Sequence, residues 1–166
     1  MNMPPANDLG SKARTRILVV DDEPALCELV EAVLQGAGME AHSVSSSEQA
    51  IERLLKQKYD AVFLDVWMPA PDGFEVAQRM RASGFNQKTP LVMITGDADP
   101  GVLKRGFESG ANYFLFKPID RRGLLRFAAP VLGAEEWPFI CSDQIDAGDR
   151  AVVKDVSGNT LIVSKK

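Results

Sequence analysis

The strongest constraint on the fold of this chain is a set of short apolar runs that alternate with segments of helical periodicity. Three of the runs are apolar at every position, at residues 17–20, 61–64 and 91–94. A continuous apolar run of this length is typical of a strand that is buried on both faces of a sheet. Weaker runs at 39–44 and 113–116 bring the number of predicted strands to five.

Helical signals separate the predicted strands. Pro24 is placed to begin the first helix, and Ser45 and Glu48 have the spacing of a capping box before the second. The remaining helices are predicted from Phe74 to Ala82, over 99–109 and over 120–132. Strands that alternate with helices predict a parallel sheet with both faces covered, joined by right-handed crossovers. We therefore predict an α/β fold, a doubly wound five-stranded parallel sheet.

The predicted fourth helix contains two glycines, Gly101 and Gly106. Each interior glycine destabilises a helix by about 1 kcal/mol relative to alanine. The sequence therefore predicts that this helix is loose and is the easiest element to move.

Composition excludes several classes of protein. A length of 166 residues suits one domain of ordinary size, and the net charge of −4 argues against a generally basic nucleic-acid binder. The chain has no apolar run of 18 residues and no apolar stretch near its start, so we expect neither a membrane span nor a secretory signal. Cys27 and Cys141 lack a metal-ligand spacing, which favours a cytoplasmic location. The single histidine, His42, argues against a Ser-His-Asp triad.

Polar side chains stand where four of the predicted strands end. They are Asp21 and Asp22 after the first strand, Asp65 after the third, Thr95 after the fourth and Lys117 after the fifth. One such aspartate would be an ordinary loop residue. Five polar residues at the edge of a doubly wound sheet where ligands bind indicate a site.

The predicted site is strongly acidic. Two carboxylates about 5 Å apart repel by roughly 3 kcal/mol at an effective dielectric constant near 20. Lys117 offers one positive charge against three carboxylates, and a hard divalent ion such as Mg²⁺ would supply the remainder. A carboxylate can attack phosphorus to give an acyl phosphate, whose added charge Lys117 and Thr95 could neutralise. Asp65, on the central strand, is the candidate acceptor.

Four motifs give the chain a family resemblance. They are VVDDEPAL at 19–26, DVWMPAPDG at 65–73, ITGDA at 94–98 and GANYFLFKP at 110–118. In order and spacing they resemble the receiver domain of two-component response regulators, over residue 16 to about 130. The resemblance implies the flavodoxin-like strand order 2-1-3-4-5. It also implies that a histidine kinase or a phosphotransfer protein phosphorylates Asp65.

The same resemblance assigns further roles. Mg²⁺ would be held by Asp21, Asp22, Asp65 and the backbone carbonyl of Trp67. Thr95 and Phe114 would be the switch residues, Lys117 would pair with the phosphoryl group, and the peptide before Pro118 would be cis.

Two residues near the predicted site have roles of their own to be tested. We hypothesise that the Trp67 ring shields the acyl phosphate and slows its hydrolysis. Asp97 either adds charge at the mouth of the site or caps the following helix.

Three domains or segments are expected. Residues 1–14 form a disordered tail, 15–132 the receiver domain and 133–166 an extension with a β-hairpin around Ser157-Gly158-Asn159. The extension is acidic and too short for a helix-turn-helix, so it is a poor DNA binder. It is either a structural extension or an arm for dimerisation or partner docking, and the chain could be cut from a longer regulator.

Other readings of the site are weaker. A phosphohydrolase of the haloacid-dehalogenase type needs an aspartate where Trp67 stands. A flavodoxin-like carrier of flavin mononucleotide needs a Ser-, Thr- and Gly-rich loop where the chain has DDEP. A receiver fold that has lost phosphorylation is disfavoured because all five site residues are present. We expect a phosphoacceptor switch and not an enzyme, acting through a downstream protein or a homodimer, without binding nucleic acid or membrane.

Overall fold

Five parallel strands form the central sheet of this computed structural model, in the order β2-β1-β3-β4-β5. The structure describes residues 14–82, 84–128, 139–141, 151–157 and 160–165, so the predicted tail lies outside it except for Arg14. The predicted fold class and strand order are both confirmed. The strands are β1 (Arg16–Val20), β2 (Glu40–Val44), β3 (Ala61–Asp65), β4 (Leu91–Thr95) and β5 (Tyr113–Phe116).

Five helices accompany this sheet, namely α1 (Pro24–Gly36), α2 (Ser47–Lys56), α3 (Gly73–Ala82), α4 (Pro100–Glu108) and α5 (Arg121–Ala128). The cap of α2 is Ser46, whose hydroxyl accepts from the Gln49 amide, so the predicted cap at Ser45 is wrong by one residue. Consecutive serines offer the same capping group, and the extended backbone of Ser46 is what selects it.

Two apolar clusters lie on opposite faces of the sheet. Leu18 and Val20 belong to the cluster that includes side chains of α2, α3 and α4, whereas Ile17 and Val19 belong to the one that includes side chains of α1 and α5. Successive residues of a strand point to opposite faces, so both faces of β1 need apolar side chains. This requirement explains the continuous apolar runs in the sequence.

A half-buried arginine, Arg81, holds the end of α3 to the turn after α4. The Arg81 guanidinium donates to the carbonyl oxygen of Gly110 at 2.8 and 3.0 Å and to that of Thr89 at 2.7 Å. Burial lowers the pKa of Arg81. The guanidinium hydrogen-bonds to carbonyl oxygens instead of pairing with a carboxylate. Because these hydrogen bonds are directional, they fix the position of the turn that follows α4.

Gly106 allows α4 to approach the sheet closely. A methyl group at this position would lie 2.3 Å from Cζ of Phe114 and 3.1 Å from Sδ of Met93. The glycine that the sequence suggested as a source of looseness is therefore buried in a tight contact. Gly101, by contrast, is exposed near the start of the helix.

We expect Gly106→Ala to destabilise the protein despite the higher helix propensity of alanine. Overpacking against Phe114 should lower the free energy of unfolding by about 1–3 kcal/mol in urea denaturation. Gly36→Ala is the matched control, because nothing lies within 4 Å of a methyl group there. That variant should gain about 0.5–1 kcal/mol. A Gly106→Ala protein as stable as the wild type would contradict the packing role.

A second sheet contains three strands, β6 (Phe139–Cys141), β7 (Ala151–Ser157) and β8 (Thr160–Lys165), in the order β6-β8-β7. β7 and β8 pair antiparallel, which is the pairing of the predicted hairpin, and its turn at 158–159 lies outside the described residues. β6 pairs parallel with β8 and was not predicted, because three apolar residues are too short a run to show a periodicity. The division of the chain into receiver domain and extension stays a prediction.

None of the helices in the described ranges combines the length and the apolar character that a membrane crossing requires.

Candidate functional site

Lys117 brings the carboxyl ends of three strands together. Its Nζ lies 3.0 Å from Oδ2 of Asp21, after β1, and 3.2 Å from Oδ1 of Asp65, at the end of β3. Asp21 and Asp65 are buried, whereas about a third of the Lys117 side chain is exposed. The structure therefore joins three of the predicted site residues into one charged contact, at the edge of the sheet where a doubly wound fold binds ligands.

Burial controls the electrostatics of Asp65. Desolvation raises its pKa to about 6, the charge of Asp21 adds to this rise, and Lys117 opposes it. Burial acts to lower the pKa of Lys117, but its contacts with Asp21 and Asp65 outweigh that effect and raise it. The pocket thus holds more negative charge than its lysine neutralises, which favours an additional cation.

The donor atoms fit a hard divalent ion. Carboxylate oxygens of Asp21, Asp22 and Asp65 all lie within 4.8 Å of one another. Asp22 is exposed and makes no hydrogen bond or ion pair within the described ranges, so its carboxylate is accessible from solvent. Three clustered carboxylates are the oxygen ligands that Mg²⁺ prefers. The carbonyl of Trp67 belongs to the loop after Asp65, and its role as a ligand stays a prediction.

Thr95 is fully buried at the end of β4. Asp65 pairs with Ile94 across the sheet, so Thr95 is the next residue along the neighbouring strand. The backbone carbonyl of Thr95 accepts from the Lys117 amide at 2.8 Å, and its hydroxyl accepts from the Asp97 amide at 3.0 Å. The hydroxyl thereby holds the start of the loop that leads into α4.

The cap of α4 is Asp99 and not Asp97. Oδ1 of Asp99 accepts from the Gly101 amide at 2.8 Å, whereas Oδ1 of Asp97 accepts from the Asp99 amide at 2.9 Å. The capping alternative for Asp97 is therefore wrong, because Pro100 begins the helix and leaves Asp99 as the flanking residue.

Phe114 is a residue of β5 whose side chain packs against α4. Its ring is buried, meets the Phe107 ring edge-on at 5.1 Å and fills the space that Gly106 leaves open. The structure therefore places the predicted switch aromatic in contact with α4, and its movement stays a prediction.

Trp67 stands two residues beyond Asp65. Half of its surface is exposed, and its ring meets Phe74 edge-on at a centroid distance of 5.9 Å. The peptide between Lys117 and Pro118 is cis, as the resemblance implied, and the peptide between Ala70 and Pro71 is cis as well.

Gly73 is a site residue that our reading of the sequence did not single out. A methyl group there would lie 2.2 Å from the carbonyl oxygen of Asp65, and its amide donates to Val66 at 3.0 Å. Only glycine lets the start of α3 pack this closely on the end of β3. The available signal was the glycine that ends the motif at 65–73.

The fold and the site together define a class of doubly wound α/β protein, one whose parallel sheet carries an acidic cluster, a lysine and a threonine at its carboxyl edge. The family model of the response regulator receiver domain matches residues 17–129. The chain belongs to the response regulator receiver domain family.

Two relatives illustrate the range of sequence similarity. The DNA-binding response regulator MtrA of Mycolicibacterium smegmatis is 33% identical over 137 residues, which cover 82% of this chain and 58% of that protein. The transcriptional regulatory protein SrrA of Staphylococcus aureus is 33% identical over 106 residues, covering 64% of this chain and 43% of SrrA. The chain therefore spans about half the length of these relatives.

A solved structure gives the corresponding structural similarity. The receiver domain of the sensor histidine kinase PA1611 of Pseudomonas aeruginosa, described with a magnesium ion coordinated in its active site cleft, is 30% identical. Its TM-score is 0.67, and the similarity covers 73% of this chain and 99% of that one.

We expect Asp65→Asn to stabilise the metal-free protein at pH 7.5. The pKa of Asp65 is raised in the folded state, so the unfolded state binds fewer protons between pH 4 and 6 and stability falls as the pH rises through that window. Removing the charge should raise the free energy of unfolding by about 1–2 kcal/mol at pH 7.5. The gain should shrink towards pH 4.5, as measured by denaturation in EDTA. An equal gain at both pH values would contradict this assignment.

Proposed function

We propose that the chain is the phosphoacceptor switch of a His-Asp phosphorelay, with Asp65 as the residue that is phosphorylated. The observation that carries this proposal is the buried Asp65 carboxylate at the end of the central strand, 3.2 Å from the Lys117 ammonium and clustered with two further carboxylates. Phosphoryl transfer needs positioning and electrostatic stabilisation more than covalent chemistry from the protein, and this cluster supplies both.

The chemical step is a displacement at phosphorus. An oxygen of the Asp65 carboxylate forms a bond to the phosphorus of the donor. The bond from phosphorus to the leaving group breaks, and its electron pair leaves with an imidazole nitrogen of a histidine or with acetate. The product is an aspartyl phosphate.

Two residues stabilise the charge that arrives with the phosphoryl group. Lys117 already contacts Asp65 and offers its ammonium to a phosphoryl oxygen. Thr95 uses its hydroxyl oxygen as an acceptor from Asp97, which leaves the hydroxyl hydrogen available as a donor. A turn of Thr95 toward the phosphoryl group would therefore pull on residues 96–99, and through them on α4.

Asp21, Asp22, Asp65 and the carbonyl of Trp67 would hold Mg²⁺. When bound, the ion supplies positive charge that offsets the clustered carboxylates and the phosphoryl oxygens. The protein's own part is to keep Asp21 and Asp65 oriented by Lys117 while Asp22 faces solvent.

Incubation with acetyl phosphate should add the mass of one phosphoryl group to the wild-type chain. Intact-mass measurement should show the gain with Mg²⁺, and EDTA or Asp65→Ala should abolish it. Asp60→Ala is the matched control, because Asp60 precedes the same strand at its other end and accepts a hydrogen bond from the Arg16 amide. A phosphorylated histidine kinase serves as the second donor. No gain from either donor would overturn the switch and favour the alternative of a non-phosphorylated binding module.

Removing the Trp67 ring should accelerate hydrolysis of the aspartyl phosphate. The ring is half exposed and held edge-on by Phe74, two residues beyond the acceptor, where it would restrict the approach of water. We expect loss of label from Trp67→Ala to be several-fold faster than from the wild type, while Trp67→Phe retains most of the protection. Equal rates for Trp67→Ala and the wild type would reject shielding.

The partners follow from the same proposal. A histidine kinase or phosphotransfer protein would deliver the phosphoryl group in the cytoplasm. Output would pass through contact with a downstream protein or a second copy of the chain, without direct binding of nucleic acid. The relatives named as DNA-binding or transcriptional regulators are about twice as long as the matched region, so the function proposed for this chain includes no activity on DNA. An enzymatic role as a phosphohydrolase lacks the second aspartate, since Trp67 occupies its place.

A further inference from the structure

An arginine on α4 contacts the connection between β3 and α3. Nη2 of Arg105 lies 3.1 Å from Oδ2 of Asp72, and its Cζ lies 4.0 Å from the centre of the Phe74 ring. An arginine that pairs with a carboxylate while lying over an aromatic ring makes two attractive contacts with one side chain. Within the described ranges this is the ion pair that joins α4 to the β3–α3 loop, residues 66–72.

Both partners of Arg105 are held in place. The Asp72 amide donates to Oε2 of Glu75 at 3.1 Å, and Oδ1 of Asp72 accepts from the Glu75 amide at 3.0 Å. This reciprocal cap of α3 leaves Oδ2 of Asp72 for the guanidinium. Phe74 is fully buried, and Trp67 meets its ring edge-on.

The β3–α3 loop is attached to the acceptor strand at its far end. Gly73 packs on the carbonyl oxygen of Asp65 and donates its amide to Val66. A group that holds this loop therefore takes its position from the strand that carries Asp65. Arg105 is in this way connected to the site without touching any of its carboxylates.

α4 has a different attachment at each end. Its N-terminal end follows Thr95 through residues 96–99, and the turn after its C-terminal end is held by Arg81 through Gly110. Movement of Thr95 would pull on the first of these attachments. The Arg105 contact lies between them, in the last turn of the helix, and ties α4 to the loop that is attached to Asp65 through Gly73.

We propose that Arg105 is a positioning residue that holds α4 against the β3–α3 loop before phosphorylation and thereby sets how readily the phosphoryl group moves the helix. The proposal rests on the phosphoacceptor function proposed above. A ligand shifts an equilibrium only through interactions that differ between the two states, and a contact that is broken when α4 moves is such a difference.

The test measures how a phosphoryl analogue binds. Trp137→Phe leaves Trp67 as the one tryptophan of the full chain, next to Phe74 and two residues from Asp65. Beryllium trifluoride is titrated with Mg²⁺ present while Trp67 fluorescence is recorded. We expect Arg105→Ala to lower the concentration of half-saturation by about threefold to tenfold. The half-saturation concentration of Arg105→Lys should lie between those of the Arg105 protein and Arg105→Ala, because lysine keeps the charge but not the planar stacking.

Two further variants separate the contact from a general change of charge. Lys104→Ala removes one cation from the same helix, where its partner is Glu108 at 3.9 Å, and should leave the midpoint unchanged. Asp72→Asn keeps an acceptor for the Glu75 amide but removes the charge that Arg105 pairs with. Like Arg105→Ala, it should lower the midpoint. Because the two residues form one contact, the double variant with Arg105→Ala should lower the midpoint by less than the product of the two single fold-changes.

Each outcome bears on one proposal. If the Trp137→Phe parent protein gives no Asp65-dependent response to the analogue, the phosphoacceptor function fails. If the parent protein responds and Arg105→Ala in the same background has the same midpoint or a higher one, the positioning role fails while the function stands. If Lys104→Ala shifts the midpoint as much as Arg105→Ala, the effect belongs to net charge and the proposed contact is overturned.

Discussion

The contact of one ammonium with two buried carboxylates is the interaction on which the rest of this site depends. Lys117 neutralises part of the charge of Asp21 and Asp65, and without it both carboxylates would be desolvated next to each other. The three residues stand at or directly after the carboxyl ends of β1, β3 and β5, so the contact also fixes where the ends of these strands lie. The carboxylates still carry more negative charge than Lys117 neutralises, which favours the binding of a further cation. The pKa of Asp65 is raised by burial and by repulsion from Asp21. Binding of a divalent ion would offset this excess charge, which is consistent with the proposed phosphoryl acceptor that uses Mg²⁺.

Much of the fold and of the site could be predicted from the sequence, for two physical reasons. Strands buried on both faces must be apolar at every position, which made residues 17–20, 61–64 and 91–94 visible as central strands. Parallel strands end at one edge, so the polar residues that follow them meet there even when they are far apart in the chain. This rule alone places Asp21, Asp65 and Lys117 at one site. The strand order, in contrast, came from the family resemblance and not from the periodicity.

The features that sequence reasoning missed are those that depend on contacts between distant segments. Local rules identify a cap but do not choose among neighbouring candidates, which is why Ser46 and Asp99 replace Ser45 and Asp97. Helix propensity predicts only that Gly106 destabilises α4. The reason for a glycine at this position is the ring of Phe114 on β5, which leaves no room for a side chain. Arg81 shows no periodic or motif signal, since all but one of its partners, Oδ1 of Asn112, are backbone carbonyl oxygens that any sequence provides. Such residues are recognisable only after the chain is folded.

These contacts give α4 two restraints of different kind. On its inner side, Gly106 lets the helix rest on Phe114, and a tight apolar contact of this type resists any change of distance. On its outer side, Arg105 meets Asp72 and Phe74 through a partly exposed ion pair and a cation–π contact, which break at modest cost. A helix that must slide when Thr95 turns would therefore keep its inner contact and lose its outer one. The weaker restraint lies beside the loop that follows the acceptor Asp65, which is where a switch driven by added charge needs it.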